Sequence, residues 1–454
     1  MARTNSSARR RQFIKGIGVG GATLLAGCTG GGDGGSGTGT TGGGSGDGGS
    51  GDGSSGGGGS GGGSASLKFV HTSSFSGAIG ELGPQFDEQA SNIEFSASGT
   101  PSESTTTRKY YVNQFVSQSS DFDLGMMDVI WPAEFVNNEW ATKVQDPEGH
   151  TDAMLETPVE AATIDGELYG MPVFTDANAL YYRKDLLDKY DYEAPKTYME
   201  LVNIAQDIMP KEDSINNGYI WQGGANEGLT IMWLNWLWGY GGSVQKDGKL
   251  KVNSEKGVMA LQHAVDLIHE YGVTPESVPA SGTDGNRQTF QQGGTLFMRN
   301  WPYAVSLMNS DDSAIKDKFA VAKMPKAEGH PNAENSCLGG WNIFVNAFSE
   351  NPSAAQRFAT YMASKPVQET LALEFSYLPV REDLYTDEYF EQAPNLETFA
   401  EVLQQTSARP STPQYSTFSE IVYTECNKAL VQNKSPQKAL DDAQKQIDSE
   451  VNNA

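Results

Sequence analysis

Positions 166–187 read GELYGMPVFTDANALYYRKDLL, and this stretch limits the fold more than any other part of the chain. A glycine-containing turn opens it, two apolar runs at 171–174 and 179–182 follow as extended backbone, and a helix is expected over 183–187. Asp176 sits between the two runs, where a strand that passes from one lobe to another would present it to the space between them. A ligand belongs in that space.

The length of 454 residues suits two lobes once a non-globular front end is set aside. Positions 67–71 alternate apolar and polar as a half-buried strand does, followed by a helix at 79–90, a strand at 93–98 and a helix at 105–117. An apolar run with acidic ends at 123–130 then suits a buried parallel strand. This β-α-β-α-β order argues for an open α/β sheet, whose ligands collect beyond the carboxyl ends of the strands. Further helices are expected at 197–209, 227–238, 255–271, 354–364 and 436–451. On the second of these, Leu229, Trp233, Trp236, Leu237 and Tyr240 make a core stripe. Strands at 293–301 and 337–345 read as further passages between the lobes, giving crossings near Phe174, Asn300 and Gly340 that act as one hinge.

The front end is a processing segment and a tether. Arg9, Arg10, Arg11 and Lys15 precede an apolar run at 17–26 that is too short to span a bilayer. Arg10-Arg11-Gln12-Phe13-Ile14-Lys15 resembles a twin-arginine export signal, and Leu25-Ala26-Gly27-Cys28 resembles a lipobox in which Cys28 becomes a lipid-bearing N-terminus. The alternative is an ordinary signal cleaved nearby, with Cys28 a stray thiol. Residues 29–66 are almost all Gly, Ser and Thr, too poor in apolar surface to order themselves; as a random coil they would reach roughly 30–40 Å. The expected address is extracellular, with lipid holding the chain to the outer face of the cytoplasmic membrane.

Charge and motif searches exclude several functions. The net charge is −25, and since positions 1–27 hold five basic residues and no acidic one, the remainder carries −30. A nucleic-acid partner does not suit such a surface, whereas strong salt does, because ions at about 1 M screen repulsion beyond roughly 3 Å. The five histidines are scattered without metal-ligand spacing and read as solvated surface groups, so neither metal nor cofactor is expected. Gly239, Gly241 and Gly242 lack the context of a phosphate loop, and there is no GxSxG elbow. Cys337 and Cys426 read as buried free thiols. Carboxylates are too numerous for their pairing to be diagnostic, which leaves a secreted glycoside hydrolase as one alternative and a surface adhesion protein as another.

Seven short pieces recur in one order: DVIWPAEF at 128–135, WQGG with EGL at 221–229, WGYGG at 238–242, MRNWPYA at 298–304, LGGWNI at 338–343, YLPVREDLY at 377–385 and RPSTPQY at 409–415. With LYYRKDLL at 180–187 they resemble the family 1 extracellular solute-binding proteins of ABC importers, in particular the trehalose/maltose-binding branch. The resemblance covers essentially everything after the tether. It implies a two-lobed fold of the type II periplasmic-binding-protein class, each lobe an open sheet flanked by helices and the two joined by a three-strand hinge. The expected division is 67–175 with 301–338 in lobe 1 and 176–300 with 339–454 in lobe 2. The implied function is non-catalytic: a monomer that binds a trehalose- or maltose-like sugar, or a longer oligosaccharide, and delivers it to ABC permease subunits.

Sugar recognition needs flat aromatic surface for the ring faces and planar charged groups that take hydroxyls two at a time. Position by position, the resemblance implies that Trp301 and Trp341 stack on sugar, that Gly340 leaves room for backbone contact, and that Asp128 and Asp176 accept hydroxyls. Arg409, Arg108 and Glu81 match the remaining polar contacts. Two positions depart from the family pattern: Asn226 stands where a tyrosine commonly precedes Glu-Gly-Leu, and Asn235 where a glutamate is common. Both bear on which sugar is held.

Overall fold

The chain changes sheets within three residues, at Ala177-Asn178-Ala179, and the architecture follows from that step. The computed structural model describes residues 65–331, 333 and 335–453; the export signal, Cys28 and nearly all of the tether lie outside the described residues.

The larger sheet contains β1 (Ala65–Thr72), β2 (Ile93–Thr100), β3 (Leu124–Asp128), β4 (Met171–Ala177), β9 (Ser336–Asn346) and β10 (Leu378–Pro379), in the order β10-β4-β9-β3-β1-β2. The smaller sheet contains β5 (Ala179–Arg183), β6 (Asn217–Ile220), β7 (Thr295–Asn300) and β8 (Phe319–Ala322), in the order β8-β5-β7-β6. β1 pairs in parallel with β2 and β3, as helix-linked strands do, while β9 returns antiparallel between β3 and β4. β1 takes in the last two residues of the expected tether, with Ala65 opposite Ile93.

Helices α1 (Ser76–Gln89) and α2 (Ser104–Val116) link the first three strands. Leu82 and Phe86 of α1 bury against the larger sheet together with Phe358 of α6 (Pro352–Ala363) and Leu371 of α7 (Lys365–Phe375). In the other lobe, α3 (Glu227–Gly239) is buried on every side, with α4 (Glu255–His269) and α8 (Tyr415–Leu430) packed against it and α9 (Pro436–Glu450) packed on those two. An α-helix apolar all round must lie inside a core, and the expected stripe of tryptophans and leucines does.

The expected division of the lobes is corrected beyond position 300. β7 does not cross: the chain after it stays with the smaller sheet, where β8 pairs with β5. β9 and α6 belong to the larger sheet and its core, not to lobe 2. The crossings are therefore Asn178, the connection from β8 to β9, and the connection from β10 to the helices that follow it. The Asn178 side chain ties two of them together, its Oδ1 accepting from the Cys337 amide at 2.7 Å while Ser336 donates to the Asn178 carbonyl at 2.8 Å.

Two of the histidines are also corrected. His263 is 7 % exposed and stacks on Tyr198 at 4.5 Å between ring centroids, and His71 is 5 % exposed. Their position in sequence carries no mark of this, because burial follows from packing within each lobe: Tyr198 and Trp236 enclose His263, and Phe69 lies beside His71. Cys337 and Cys426 are buried and unpaired with each other. Among the described residues no helix is long and apolar enough to cross a membrane and no cluster of ligands could hold a metal ion.

Candidate ligand-binding site

Where the two sheets meet, a cavity of about 70 Å³, partly open to solvent, is lined from both lobes. Strand geometry places its walls. Asp128 is the last residue of β3, and Trp341 stands directly opposite it on β9, with Phe174 of β4 on the other side of Trp341. Asp176, two residues along β4, stands opposite Gly339. Trp301 follows the end of β7, and its carbonyl accepts from Tyr181 Oη at 2.6 Å.

Gly340 permits this meeting. Its φ of +139° is open to glycine, and a Cβ there would lie 2.8 Å from the Phe174 carbonyl oxygen. The register of β9 against β4 shifts just after it, between Trp341 and Asn342. Such a bulge re-aims side chains at the end of a strand. The Trp341 ring is braced edge-on by Trp131, with centroids 5.4 Å apart. The Trp301 ring is covered by Arg299, whose guanidinium carbon lies 4.1 Å from its centroid. One tryptophan is thus held from each side of the hinge.

The polar wall is a buried ion network. Arg409 Nη2 donates to Asp128 Oδ1 and its Nη1 to Glu227 Oε1, each at 2.9 Å, with the Arg409 side chain only 2 % exposed. Asp128 Oδ2 accepts from Ser104 at 2.7 Å, and Glu227 accepts from Tyr415 at 2.7 Å and from Ser419. Burial opposes the Arg409 charge, yet Asp128 beside it holds the guanidinium well above its usual range. Burial raises the Glu227 carboxyl, against the pull of Arg409. Asp176 is pushed well up, by burial and then by the charge of Asp128. Its Oδ1 is buried with no hydrogen-bond partner, as are Nε and Nη2 of Arg299. Burial lowers Arg299 to about 10, and its Nη1 donates to Gln222. An unpartnered buried carboxylate oxygen costs free energy until a donor reaches it. A ligand hydroxyl is such a donor.

Of the residues singled out in the sequence, Trp301, Trp341, Gly340, Asp128, Asp176 and Arg409 line this one cavity. Arg108 does not: its guanidinium is taken by Glu134, with Nε donating to Oε2 at 2.8 Å. Glu81 does not either, standing exposed on α1 near Tyr361. Sequence reading missed Glu103, Gln222, Glu227, Thr283 and Tyr377, which also line it. Glu227 and Tyr377 fall inside two of the recurring pieces, EGL and YLPVREDLY, and could have been taken from them; Glu103 and Thr283 carry no such signal. Asn226 caps α3, accepting from the Gly228 amide at 2.9 Å, and Asn235 is buried on α3; neither lines the cavity.

Two lobes, a hinge and a partly open cavity walled by aromatics and carboxylates define a binding protein that holds a small solute between its lobes. Residues 70–369 match the model of the bacterial extracellular solute-binding proteins. The chain is 34 % identical over 395 residues to a probable ABC transporter-binding protein of Deinococcus radiodurans, covering 83 % of this chain and 93 % of that one. It belongs to this family, the family 1 solute-binding components of ABC transporters. Among solved structures it is similar to the maltose-bound MalE3 of T. maritima, with a TM-score of 0.80 and 34 % identity over 85 % of this chain and 99 % of the other. It is also 24 % identical over 228 residues to the maltodextrin-binding protein MdxE of Bacillus subtilis, covering 47 % of this chain and 50 % of that one. Family and fold agree with the type II class expected from the sequence.

Proposed function

We propose that this protein binds a neutral di- or oligosaccharide of the maltose or trehalose kind and delivers it to an ABC importer. The carrying observation is that Trp301 and Trp341 line one cavity together with Asp176, whose Oδ1 is buried with no hydrogen-bond partner. Two flat apolar rings suit the faces of successive pyranose units, and Asp128 and Asp176 supply acceptors for hydroxyls at their edges. The similarity to maltose-bound MalE3 and to MdxE, named for maltodextrin, supports the same class of ligand.

Binding and closure are one event in this reading. Small changes in backbone angles at the three crossings swing the lobes without disturbing either core. A sugar that touches both lobes binds the closed form better than the open one, and that difference drives closure. The closed form is then what the permease recognises. The protein acts as a monomer outside the cell, held by lipid on Cys28 through the glycine-rich tether.

Calorimetric titration with maltose, trehalose and maltotriose tests the proposal. Trp301→Ala and Trp341→Ala are each expected to cost about 2 kcal/mol, or thirtyfold in affinity, as anchor residues do. Unchanged affinity in both variants would remove the tryptophans from the site, and no heat from any of the sugars with the parent protein would remove the sugar.

A further inference from the structure

We infer that Glu103 is a latch: it caps a helix of the opposite lobe and so couples closure of the cleft to binding. This rests on the two-lobed binding reading, but not on which sugar is bound.

Glu103 stands at the N-cap of α2 with extended backbone, yet its side chain makes no hydrogen bond to its own helix. Across the cleft, α5 (Thr283–Gln291) begins at Gly282, a residue with no side chain to cap it. The two deficits meet. Glu103 Oε1 accepts from the Thr283 amide at 3.0 Å, so a carboxylate from lobe 1 satisfies a free N–H at the positive end of a lobe 2 helix. The approach is tight enough to explain the glycine. A Cβ on Gly282 would lie 2.1 Å from Glu103 Oε1, although the backbone there, at φ −106°, accepts any residue.

The neighbouring residues repeat the arrangement. Thr105 Oγ1 accepts from the Glu227 amide, the first residue of α3, at 3.1 Å, while Ser104 donates to Asp128 of the cavity wall. Three consecutive residues of lobe 1 thus hold two helix N-termini of lobe 2 and one wall carboxylate. Glu103 and Ser104 also line the cavity, whereas Gly282 does not. A ligand touching these side chains therefore orders the groups that close the cleft, and the closing bonds exist only in the state that encloses it. In the open state, water would have to replace each of these partners.

Gly282→Ala isolates the latch because it adds one methyl group against Glu103 and removes nothing from the cavity wall. Spin labels on Val116→Cys in lobe 1 and Met259→Cys in lobe 2, both exposed positions, report the distance between lobes; a Cys28→Ser background leaves only the buried Cys337 and Cys426 besides them. Gly282→Ala is expected to shift the distance distribution towards the open form and to weaken maltose binding about tenfold or more, the scale of one charge-assisted hydrogen bond. Thr105→Val, which keeps shape and removes the second acceptor, is expected to shift the distances in the same direction. Glu103→Ala combined with Gly282→Ala should bind no more weakly than Glu103→Ala alone, since the methyl group then meets no carboxylate. Distances and affinity in Gly282→Ala equal to the parent's, or losses in the double variant that multiply, would overturn the latch. If maltose does not bind the parent, the distances measured without it still decide for or against the latch, so the two failures are told apart.

Discussion

Replacing Arg409 by Met is the sharpest test of the network that shapes the cavity. The guanidinium bridges Asp128 and Glu227 at 2.9 Å each and is almost wholly enclosed, so its removal leaves two carboxylates facing one another without a counter-charge. Breaking a buried pair by deleting one partner costs about 3–5 kcal/mol, mostly from the stranded charge. With an unfolding entropy of ~2.1 cal/mol/K per residue over a body of about 390 residues, each kcal/mol moves Tm by roughly 1 °C, so a fall of about 4–6 °C is expected near pH 7. The loss should depend on pH in a definite direction. Burial already holds the Glu227 pKa above its ordinary value of 4.5, and without Arg409 it must rise further. An acid with a raised folded pKa destabilises the fold at pH values above that pKa, and the penalty fades as pH falls towards the unfolded value. The variant should therefore approach the parent between neutrality and pH 5. Thermal melts of both proteins over pH 5–7.5 at constant high salt supply the comparison. A deficit near 1 °C, or one that does not change with pH, would mean that water reaches these carboxylates and that the network is not buried in solution.

His263 should act on stability in the opposite direction, since burial lowers its pKa from 6.5 to about 4: the unfolded chain gains a proton first, and stability present above pH 6.5 is lost as pH falls towards 4, by up to about 3 kcal/mol. Urea titrations at pH 7 and pH 4.5 should show that loss in the parent and a smaller one in His263→Phe; equal losses would place the proton elsewhere. Cys28→Ser should release the protein from cells into the medium, because stable anchoring needs the acyl chains a lipobox cysteine carries, and retention on cells would defeat the lipid reading. Tm should climb steeply from dilute buffer to molar salt, as screening relieves a surface of this net charge; a flat curve would mean that the acidic residues are locally paired.

Local pattern determined a good part of this protein. The alternation in β1, the two apolar runs on either side of Asn178 and the tryptophan-rich periodicity of α3 each announce an element, because they depend only on which residues follow one another at a period of two or near 3.6. The same local logic put Asp128 in a strand expected over 123–130, which ends at Asp128, and family resemblance added the site roles of Asp128, Asp176, the two tryptophans and Arg409. Tertiary structure decided what depends on partners distant in the chain. Whether 319–322 joins one sheet or the other is settled by the free edge of β5, not by its own four residues. Family resemblance marked Arg108 as a ligand for sugar, but Glu134, on the short helix Pro132–Asn137, takes its guanidinium. His263 is buried only because Tyr198 and Trp236 close around it. Glu103 and Gly282 lie 179 positions apart, and neither sequence neighbourhood distinguishes them. They meet because the Glu103 carboxylate at the start of α2 accepts from the Thr283 amide at the start of α5 at 3.0 Å, a contact that only the assembled fold defines.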